Sequence, residues 1–184
     1  MKQKILNHIQ QHQKIISKNK KLISDSIIFI TSEIKKVYNK KGTVFLAGNG
    51  GSAADCEHFA GELVGRYKKN RKPFNAVSLT TNTSVITCIA NDFGYEKIFE
   101  RQLEGLGKKG DLLIAMSTSG KSKNIINVLK KAKKMKIKSF ALLGNNGGNC
   151  QKLSDYSLII PSKNTANIQE IHHLISHIIC SLLD

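Results

Sequence analysis

The sequence lacks several features that mark particular classes of protein. Its 184 residues include no tryptophan and only two prolines, and no apolar run approaches the length of about 18 residues that a membrane-spanning helix needs. Cys56, Cys88, Cys150 and Cys180 form no Cys-x-x-Cys pair. This spacing supports neither a zinc ribbon nor a disulfide framework and predicts buried free thiols. The first residues lead into an amphipathic stretch rather than an apolar signal core, so we expect a cytoplasmic protein.

Arginine is also scarce, which bears on the meaning of the charge. Lysine and arginine number 29 against 13 acids, for a formal net charge of +16, yet the only arginines are Arg66, Arg71 and Arg101. Recognition of bases and phosphates favours the bidentate arginine side chain. The lysines are spread along the whole chain at helical spacing, so we interpret them as solvated surface. We therefore expect neither a nucleic-acid nor a membrane partner, although a positive field would attract a phosphorylated substrate.

The composition is that of an ordinary globular protein, with 40% hydrophobic and 23% charged residues. The length suits one domain, over residues 1–184. Apolar residues recur at helical spacing over residues 3–39 and predict one long helix or two consecutive ones. We therefore divide the domain into an N-terminal helical segment, 1–40, and a core, 43–184.

The core shows short apolar runs that alternate with helical patterns. Such alternation predicts an α/β fold with a five-stranded parallel, doubly wound sheet flanked by helices on both faces. The predicted strands cover residues 43–47, 76–79, 111–116, 138–143 and 156–160. The predicted helices cover residues 52–63, 85–90, 98–106 and 165–183, and a further helix follows the segment 117–120 and ends near residue 134.

Two polar loops directly follow predicted strands, at residues 48–52 and 117–122. Ligands of parallel sheets bind beyond the carboxyl ends of the strands, so both loops open at the same edge. The first loop, Gly-Asn-Gly-Gly-Ser, matches neither a dinucleotide-binding fingerprint nor a Walker loop. It offers approachable backbone amides and the start of a helix, with Ser52 as the expected N-cap. The second loop adds four hydroxyl groups. A pair of tight turns remains the alternative, but together the loops favour binding of a phosphate monoester.

Polar side chains, all but one of them ionisable, recur every four residues on two predicted helices. His58 and Glu62 share one helix face, and Gln169, His173 and His177 share another. A His/Glu pair at this spacing binds a metal ion or divides acid and base work. Solvated or structural residues are the alternative, because periodicity does not show whether the two helices approach each other.

Six motifs are spread along nearly the whole chain. They are Gly48–Ser52, His58–Leu63, Gly65–Tyr67, Asn91–Gly94, Ser117–Gly120 and Ile168–His172. Together they resemble a known family, the phosphoheptose isomerases of the sugar isomerase (SIS) domain class. The resemblance implies conversion of sedoheptulose 7-phosphate to D-glycero-D-manno-heptose 7-phosphate, the first step in making heptose precursors for lipopolysaccharide, capsule or related glycans.

The resemblance implies a function for individual positions. It places Glu62 and His177 at the catalytic acid/base positions, and it makes His58, Glu62, Gln169 and His177 the ligands of one Zn²⁺ per subunit. It also implies a cytoplasmic homotetramer with active sites at subunit interfaces and a sugar phosphate substrate. The implied substrate contacts are Asn49, Gly50, Gly51, Ser52, Glu62, Asn91, Asp92, Ser117, Thr118, Ser119, Ser122 and Gln169.

One departure and two alternatives accompany this resemblance. Ala166-Asn167 stands where relatives often have Asp-Arg, which puts any contact from that pair in doubt. A related non-catalytic regulator, which binds the replication initiator, carries serine and asparagine at the two catalytic positions. Glu62 and His177 therefore favour an enzyme. An isomerase of another sugar phosphate would use the same loops and remains open.

Overall fold

A computed structural model describes residues 1–184, and helices and strands alternate along this chain. Five strands and seven α-helices form one α/β unit, with a 3₁₀ turn at Tyr95–Lys97. The strands are β1 (Val44–Ala47), β2 (Ala76–Ser78), β3 (Leu112–Ser117), β4 (Lys138–Gly144) and β5 (Tyr156–Ile160). The helices are α1 (Lys2–Asn39), α2 (Gly51–Val64), α3 (Thr83–Phe93), α4 (Ile98–Leu106), α5 (Lys123–Lys134), α6 (Gly148–Leu153) and α7 (Thr165–Leu183).

The five strands form a single all-parallel sheet in the order β2-β1-β3-β4-β5, which confirms the predicted fold class. Strand β1 pairs with β2 on one side and β3 on the other, so that Val44 lies opposite both Ala76 and Leu112. The strand order reverses between β1 and β3. A crevice forms at such a reversal, beyond the carboxyl ends of the strands. The loops at 48–50 and 118–122 leave β1 and β3 at that edge.

Alternation along each strand divides the core into two apolar layers. In β1, Val44 and Leu46 join a cluster of 25 buried residues that includes side chains of α1, α2 and α7. Phe45 and Ala47 join a cluster of 17 buried residues with side chains of α3, α4, α5 and α6. Because both faces of the sheet are covered, its strands appear in the sequence as unbroken apolar runs.

The N-terminal segment is one uninterrupted helix of 38 residues rather than two consecutive helices. Its second half buries one face, from Ile23 to Val37, and α1 packs against α7, whereas the first half is mostly exposed. None of the seven helices, α1 included, combines the length and apolar character needed to span a membrane.

Several local predictions were wrong. Gly50, not Ser52, is the N-cap of α2, and Ser52 is buried in the first helical turn. Helix α3 is longer than predicted, because the Asn82 side chain accepts a hydrogen bond from the backbone N–H of Val85 and starts the helix earlier. Helix α6 has only six residues and escaped prediction because it follows a glycine-rich turn. Cys88 is exposed, whereas the other three cysteines are buried as predicted.

Candidate active site

The glycine-rich loop after β1 presents free backbone donors at the start of α2. The N–H groups of Gly50 and Gly51 donate no hydrogen bond within the chain, whereas that of Ser52 is bonded to the Asn49 carbonyl. A methyl group on Gly51 would lie 2.6 Å from Nε2 of Gln169, so only glycine lets this carboxamide approach the helix end. Free amides at a helix N-terminus attract anions.

The serine-rich loop after β3 has the same character at the start of α5. The N–H groups of Thr118 and Ser119 donate no hydrogen bond within the chain. The buried Ser117 hydroxyl accepts the N–H of Gly120 at 3.1 Å and lies 3.3 Å from the Ser122 hydroxyl. Hydroxyls and free amides at a helix N-terminus are suitable donors for a phosphate group.

A hydrogen-bond network joins the glycine-rich loop to the first turn of α5, which follows the serine-rich loop. The side chains of Asn49 and Asn124 exchange two hydrogen bonds of 2.9 and 2.7 Å, and the Tyr95 hydroxyl donates to Oδ1 of Asn49 at 3.1 Å. Asn124 is buried and Tyr95 is exposed. Sequence reasoning missed both residues. Two signals were available. Asn124 is a buried amide in the first turn of α5, and Tyr95 is an aromatic residue just after the Asn91–Gly94 motif.

Asn91 and Asp92 lie at the end of α3 and are exposed. Their side chains are bonded to each other at 2.8 Å, and the Cys88 thiol donates to Asp92 at 3.6 Å. No hydrogen bond joins either side chain to the two loops, so their predicted substrate contacts remain predictions. The link between this segment and the loops is Tyr95.

The ionisable residues of α2 and α7 meet in one cluster. Nε2 of His58 lies 2.8 Å from Nε2 of His177 and 3.4 Å from Oε1 of Glu62. The His173 ring lies 4.7 Å from the His58 ring and 4.4 Å from the His177 ring, measured between centroids. Suitable ring nitrogens of the three histidines all lie within 4.8 Å of one another. Helices α2 and α7 therefore bring the predicted catalytic pair, Glu62 and His177, together.

The surroundings of His177 favour its neutral form. Burial lowers the pKa of this imidazole, positive charge on His173 or His58 would lower it further, and Glu62 opposes the shift. A neutral imidazole has one donor and one acceptor nitrogen and can therefore relay a proton at neutral pH. The Tyr67 ring packs beside it, with the two ring centroids 5.5 Å apart.

Of the four predicted metal ligands, Gln169 lies apart from the others. It precedes His177 by two helical turns, about 12 Å along α7, and its carboxamide lies against Gly51. No hydrogen bond joins it to His58, Glu62 or His177. His173, which the predicted ligand set leaves out, lies in the imidazole cluster instead.

The departing pair Ala166-Asn167 lies in the first turn of α7. Ala166 is exposed, and Asn167 is buried with no hydrogen-bond partner for its side-chain oxygen. The helix is capped by the Asn164 side chain, which accepts from the backbone N–H groups of both residues. The pair thus forms no side-chain ion pair in this chain.

The sheet order, the two loops at its reversal and the carboxylate–imidazole cluster define a doubly wound α/β domain with two polar loops that offer free backbone amides. Residues 7–144 match the SIS domain family. The chain is 46% identical to phosphoheptose isomerase 1 of Campylobacter jejuni, over 95% of this chain and 94% of that protein. It is 43% identical to phosphoheptose isomerase of Aliarcobacter butzleri, over 100% and 97% of the two chains.

Solved structures agree with these relatives. The chain superposes on phosphoheptose isomerase from Neisseria gonorrhoeae with a TM-score of 0.93 at 33% identity, over 100% of this chain and 98% of that one. The match to a phosphoheptose isomerase from Francisella tularensis has a TM-score of 0.95 at 31% identity, over 99% and 97%. The chain therefore belongs to the SIS domain family and, within it, to the phosphoheptose isomerases.

Proposed function

We propose that this chain isomerises sedoheptulose 7-phosphate to D-glycero-D-manno-heptose 7-phosphate in the cytoplasm, for synthesis of heptose-containing glycans. The observation that carries the proposal is the meeting of Glu62 and His177 at the same atom, Nε2 of His58. Conversion of a ketose to an aldose moves a proton from C1 to C2 through an enediol. The reaction needs a base near both carbons and a proton carrier between their oxygens.

Each member of the catalytic pair has one part in this reaction. Glu62 takes the proton from C1 and returns it to C2. His177 moves protons between the two substrate oxygens or assists ring opening, and its lowered pKa supports a neutral imidazole that can both give and take a proton. The remaining site residues hold the substrate.

The two loops would anchor the phosphate far from the reacting carbons. The serine-rich loop offers hydroxyls and free amides from Ser117, Thr118, Ser119 and Ser122. The glycine-rich loop offers the second set of donors at Asn49–Gly51, with Ser52 behind them. Asn91, Asp92 and Gln169 complete the proposed substrate contacts. Binding energy at the phosphate positions the reacting carbons and so contributes to catalysis.

The imidazole cluster fits a zinc ion by its chemistry, because Zn²⁺ prefers imidazole nitrogen and carboxylate oxygen ligands. We propose one Zn²⁺ per subunit, bound by His58 and His177, and the family resemblance adds Glu62 and Gln169 as ligands. When bound, this ion would polarise substrate oxygens as a Lewis acid.

The distance along α2 supports active sites between subunits. Glu62 lies eleven residues after Gly51, about 16 Å along the helix axis. An open-chain heptulose phosphate spans roughly 10 Å from C1 to phosphorus, given bonds of about 1.5 Å in a zigzag. A phosphate bound at the loops of one chain would therefore leave its C1 short of Glu62 in the same chain. We propose that the loops of one subunit face Glu62 and His177 of another.

An exposed apolar stripe supports this assembly as well. Leu174, Ile178 and Leu182 recur every four residues on α7 and are each 36–47% exposed, and Ile5, Leu6 and Ile9 are exposed on α1. Contiguous exposed apolar surface marks sites of association. We propose a homotetramer, as the family resemblance implies.

The test is incubation of the purified protein with sedoheptulose 7-phosphate, with and without a chelator, followed by NMR detection of the aldoheptose phosphate. Fructose 6-phosphate and ribulose 5-phosphate serve as control substrates. We expect conversion of the heptulose phosphate alone. Binding of sugar phosphate without turnover would instead favour a regulator, and turnover of a control substrate alone would favour another sugar phosphate isomerase.

A further inference from the structure

The proposed base, Glu62, lies in the last turn of α2, where the hydrogen bonds of the helix end. Helix α2 stops at Val64, and no backbone N–H donates to the carbonyl of Glu62. The last carbonyls of any helix lack partners within it and need donors from elsewhere. The position of Glu62 therefore depends on groups outside α2.

Arg71 supplies the missing donors. Its Nη2 donates to the Glu62 carbonyl at 2.8 Å, and its Nη1 donates to the Leu63 carbonyl at 2.9 Å. The planar guanidinium holds both donors in a fixed geometry, and its charge lies at the negative end of the helix dipole. The side chain is only 12% exposed, and its Cζ lies 4.4 Å from the centroid of the Phe74 ring. Arg71 thus holds two consecutive peptide groups, one of which belongs to Glu62.

Asp184, which directly follows α7, holds Arg71 in turn. Its Oδ1 accepts a hydrogen bond from Nε of Arg71 at 3.0 Å, and its side chain is buried. Its Oδ2 accepts the backbone N–H groups of Lys68 and Lys69 at 2.6 and 3.0 Å. One carboxylate therefore joins the end of α7 to the segment 65–71, which leads away from α2.

This ion pair connects the two members of the catalytic pair. His177 lies seven residues before Asp184, about 10 Å along α7. The segment that Asp184 holds also carries Tyr67, whose ring centroid lies 5.5 Å from that of His177. Because Glu62 is tied to Arg71 and His177 precedes Asp184 on the same helix, the ion pair fixes one side chain relative to the other.

We propose that Arg71 and Asp184 are positioning residues that hold Glu62 and His177 at the separation that proton transfer requires. This inference rests on the proposed function and adds two residues that act through Glu62 and His177. A displacement of about 1 Å can lower turnover by about 100-fold, so loss of the ion pair should reduce kcat. The glycine-rich loop lies at the other end of α2, so KM should hardly change.

The first test is steady-state kinetics with sedoheptulose 7-phosphate on Arg71→Lys and Asp184→Asn. Lysine keeps the charge but lacks the fixed pair of donors that reaches both carbonyls. Asparagine has one acceptor oxygen where the carboxylate uses two. We expect kcat per folded molecule to fall by about 10–100-fold in each variant, with KM nearly unchanged.

Two further measurements separate positioning from a general loss of stability. Arg71→Ala leaves space for a free guanidinium ion, so millimolar guanidinium chloride should restore part of its kcat, whereas equal sodium chloride should not. Hydrogen exchange, followed by mass spectrometry, should show that the amides of residues 61–64 exchange at least about tenfold faster in Arg71→Ala. The amides of α5 should exchange as in the unaltered protein.

Lys131→Ala is the matched control. The Lys131 side chain is 14% exposed, as buried as that of Arg71, and pairs with Glu104 at 2.7 Å. Its helix, α5, packs on the opposite face of the sheet from α2 and α7. Its kcat and the exchange of residues 61–64 should therefore match those of the unaltered protein.

Unchanged kcat in Arg71→Lys and Arg71→Ala would overturn the inference. A loss of activity that only follows the loss of folded protein would overturn it as well. If the unaltered protein does not convert the heptulose phosphate, the proposed function fails separately. The exchange measurement then still tests the hold on α2, which faster exchange in Arg71→Ala supports and unchanged exchange refutes.

Discussion

The Nε2 atoms of His58 and His177 lie 2.8 Å apart, although 119 positions separate the two residues in the chain. Helices α2 and α7 pack on the same face of the sheet and produce this contact. The same contact brings Glu62 within 3.4 Å of His58, so that a carboxylate and three imidazoles share one cluster. Acid–base chemistry on a sugar depends on such a pairing of groups.

Replacement of Glu62 by glutamine tests its role as the base. Glutamine keeps the shape of the side chain but cannot accept the C1 proton, so we expect kcat to fall by at least ~100-fold. The measurement is the initial rate with sedoheptulose 7-phosphate. The thermal unfolding curve should superimpose on that of the unaltered protein. Near-normal turnover in Glu62→Gln would remove this residue from the base role.

The strands and most helices could be predicted because their signals are local. Apolar runs such as residues 156–160 and helical periodicity such as 165–183 coincide with β5 and α7. The start of α2 could not be predicted from Ser52, because the actual N-cap, Gly50, adopts a positive φ of 56° that only the folded loop requires.

The site was only partly predictable, for a related reason. Spacing places His58 with Glu62 and His173 with His177, but the approach of α2 to α7 depends on how both helices pack on the sheet. The contact of Asp55 with His173 depends on the same packing, since the two residues are 118 positions apart. Asn124 and Tyr95 could not be predicted as site residues, because their hydrogen bonds to Asn49 join segments that are distant in the sequence.

Removal of one hydroxyl from the serine-rich loop tests phosphate anchoring. A hydrogen bond to a charged group contributes about 1.5–3 kcal/mol, so Ser119→Ala should raise KM by roughly tenfold or more with little change in kcat. The measurement is steady-state kinetics over a range of sedoheptulose 7-phosphate concentrations. Ser24→Ala, on the exposed surface of α1, is the matched control and should leave KM unchanged. A defect confined to kcat would contradict phosphate anchoring by Ser119.

Tyr95 offers a test of how the two loops are held together. Its hydroxyl donates to Asn49, which the Asn124 side chain holds from the other side. Tyr95→Phe removes one hydrogen bond of about 0.5–1.5 kcal/mol and should lower kcat/KM by about 2–10-fold. The tyrosine is 58% exposed, so the free energy of unfolding should hardly change.

The control for this change is Tyr156→Phe. Tyr156 is also partly exposed and packs against Phe29 on another face, with no hydrogen bond from its hydroxyl. The kcat/KM of Tyr156→Phe should match that of the unaltered protein. Equal kinetics in the two variants would show that Tyr95 does not position Asn49.

Glu33 makes part of the stability dependent on pH. Its side chain, only 6% exposed, accepts hydrogen bonds from Lys138 and Lys36, and these bonds lower the pKa of the carboxyl group. A lowered pKa contributes stability above the unfolded-state value of about 4.3, and this contribution is lost as the pH falls through the folded-state pKa.

Glu33→Gln should therefore lower the free energy of unfolding by about 1 kcal/mol at pH 7, a modest value because solvent screens both lysines. The difference should shrink as the pH falls towards 3, which urea unfolding at the two pH values measures. Asp25→Asn breaks an exposed pair with Lys21 and should change stability little at either pH. A loss in Glu33→Gln of equal size at both pH values would contradict the assigned pKa shift.

Subunits with complementary defects test whether each active site spans two chains. Glu62→Gln disables the base, and Ser119→Asp places a negative charge in the loop proposed to bind phosphate. Each variant alone should be nearly inactive. An interface between unlike subunits contains two shared sites. One of them receives both defects, and the other receives an intact Glu62 and an intact loop. Random assortment of the two variants should therefore restore roughly a quarter of the normal activity.

The measurement is the activity of hybrid oligomers, obtained by co-expression of the two variants with different tags and purification on both. The control is a mixture of the separately purified variants, which share no interface and should stay nearly inactive. If the loops and Glu62 of one chain served the same substrate molecule, every site in a hybrid would carry one defect. Hybrids no more active than the control mixture would therefore place the whole site within one subunit and would contradict active sites shared between subunits.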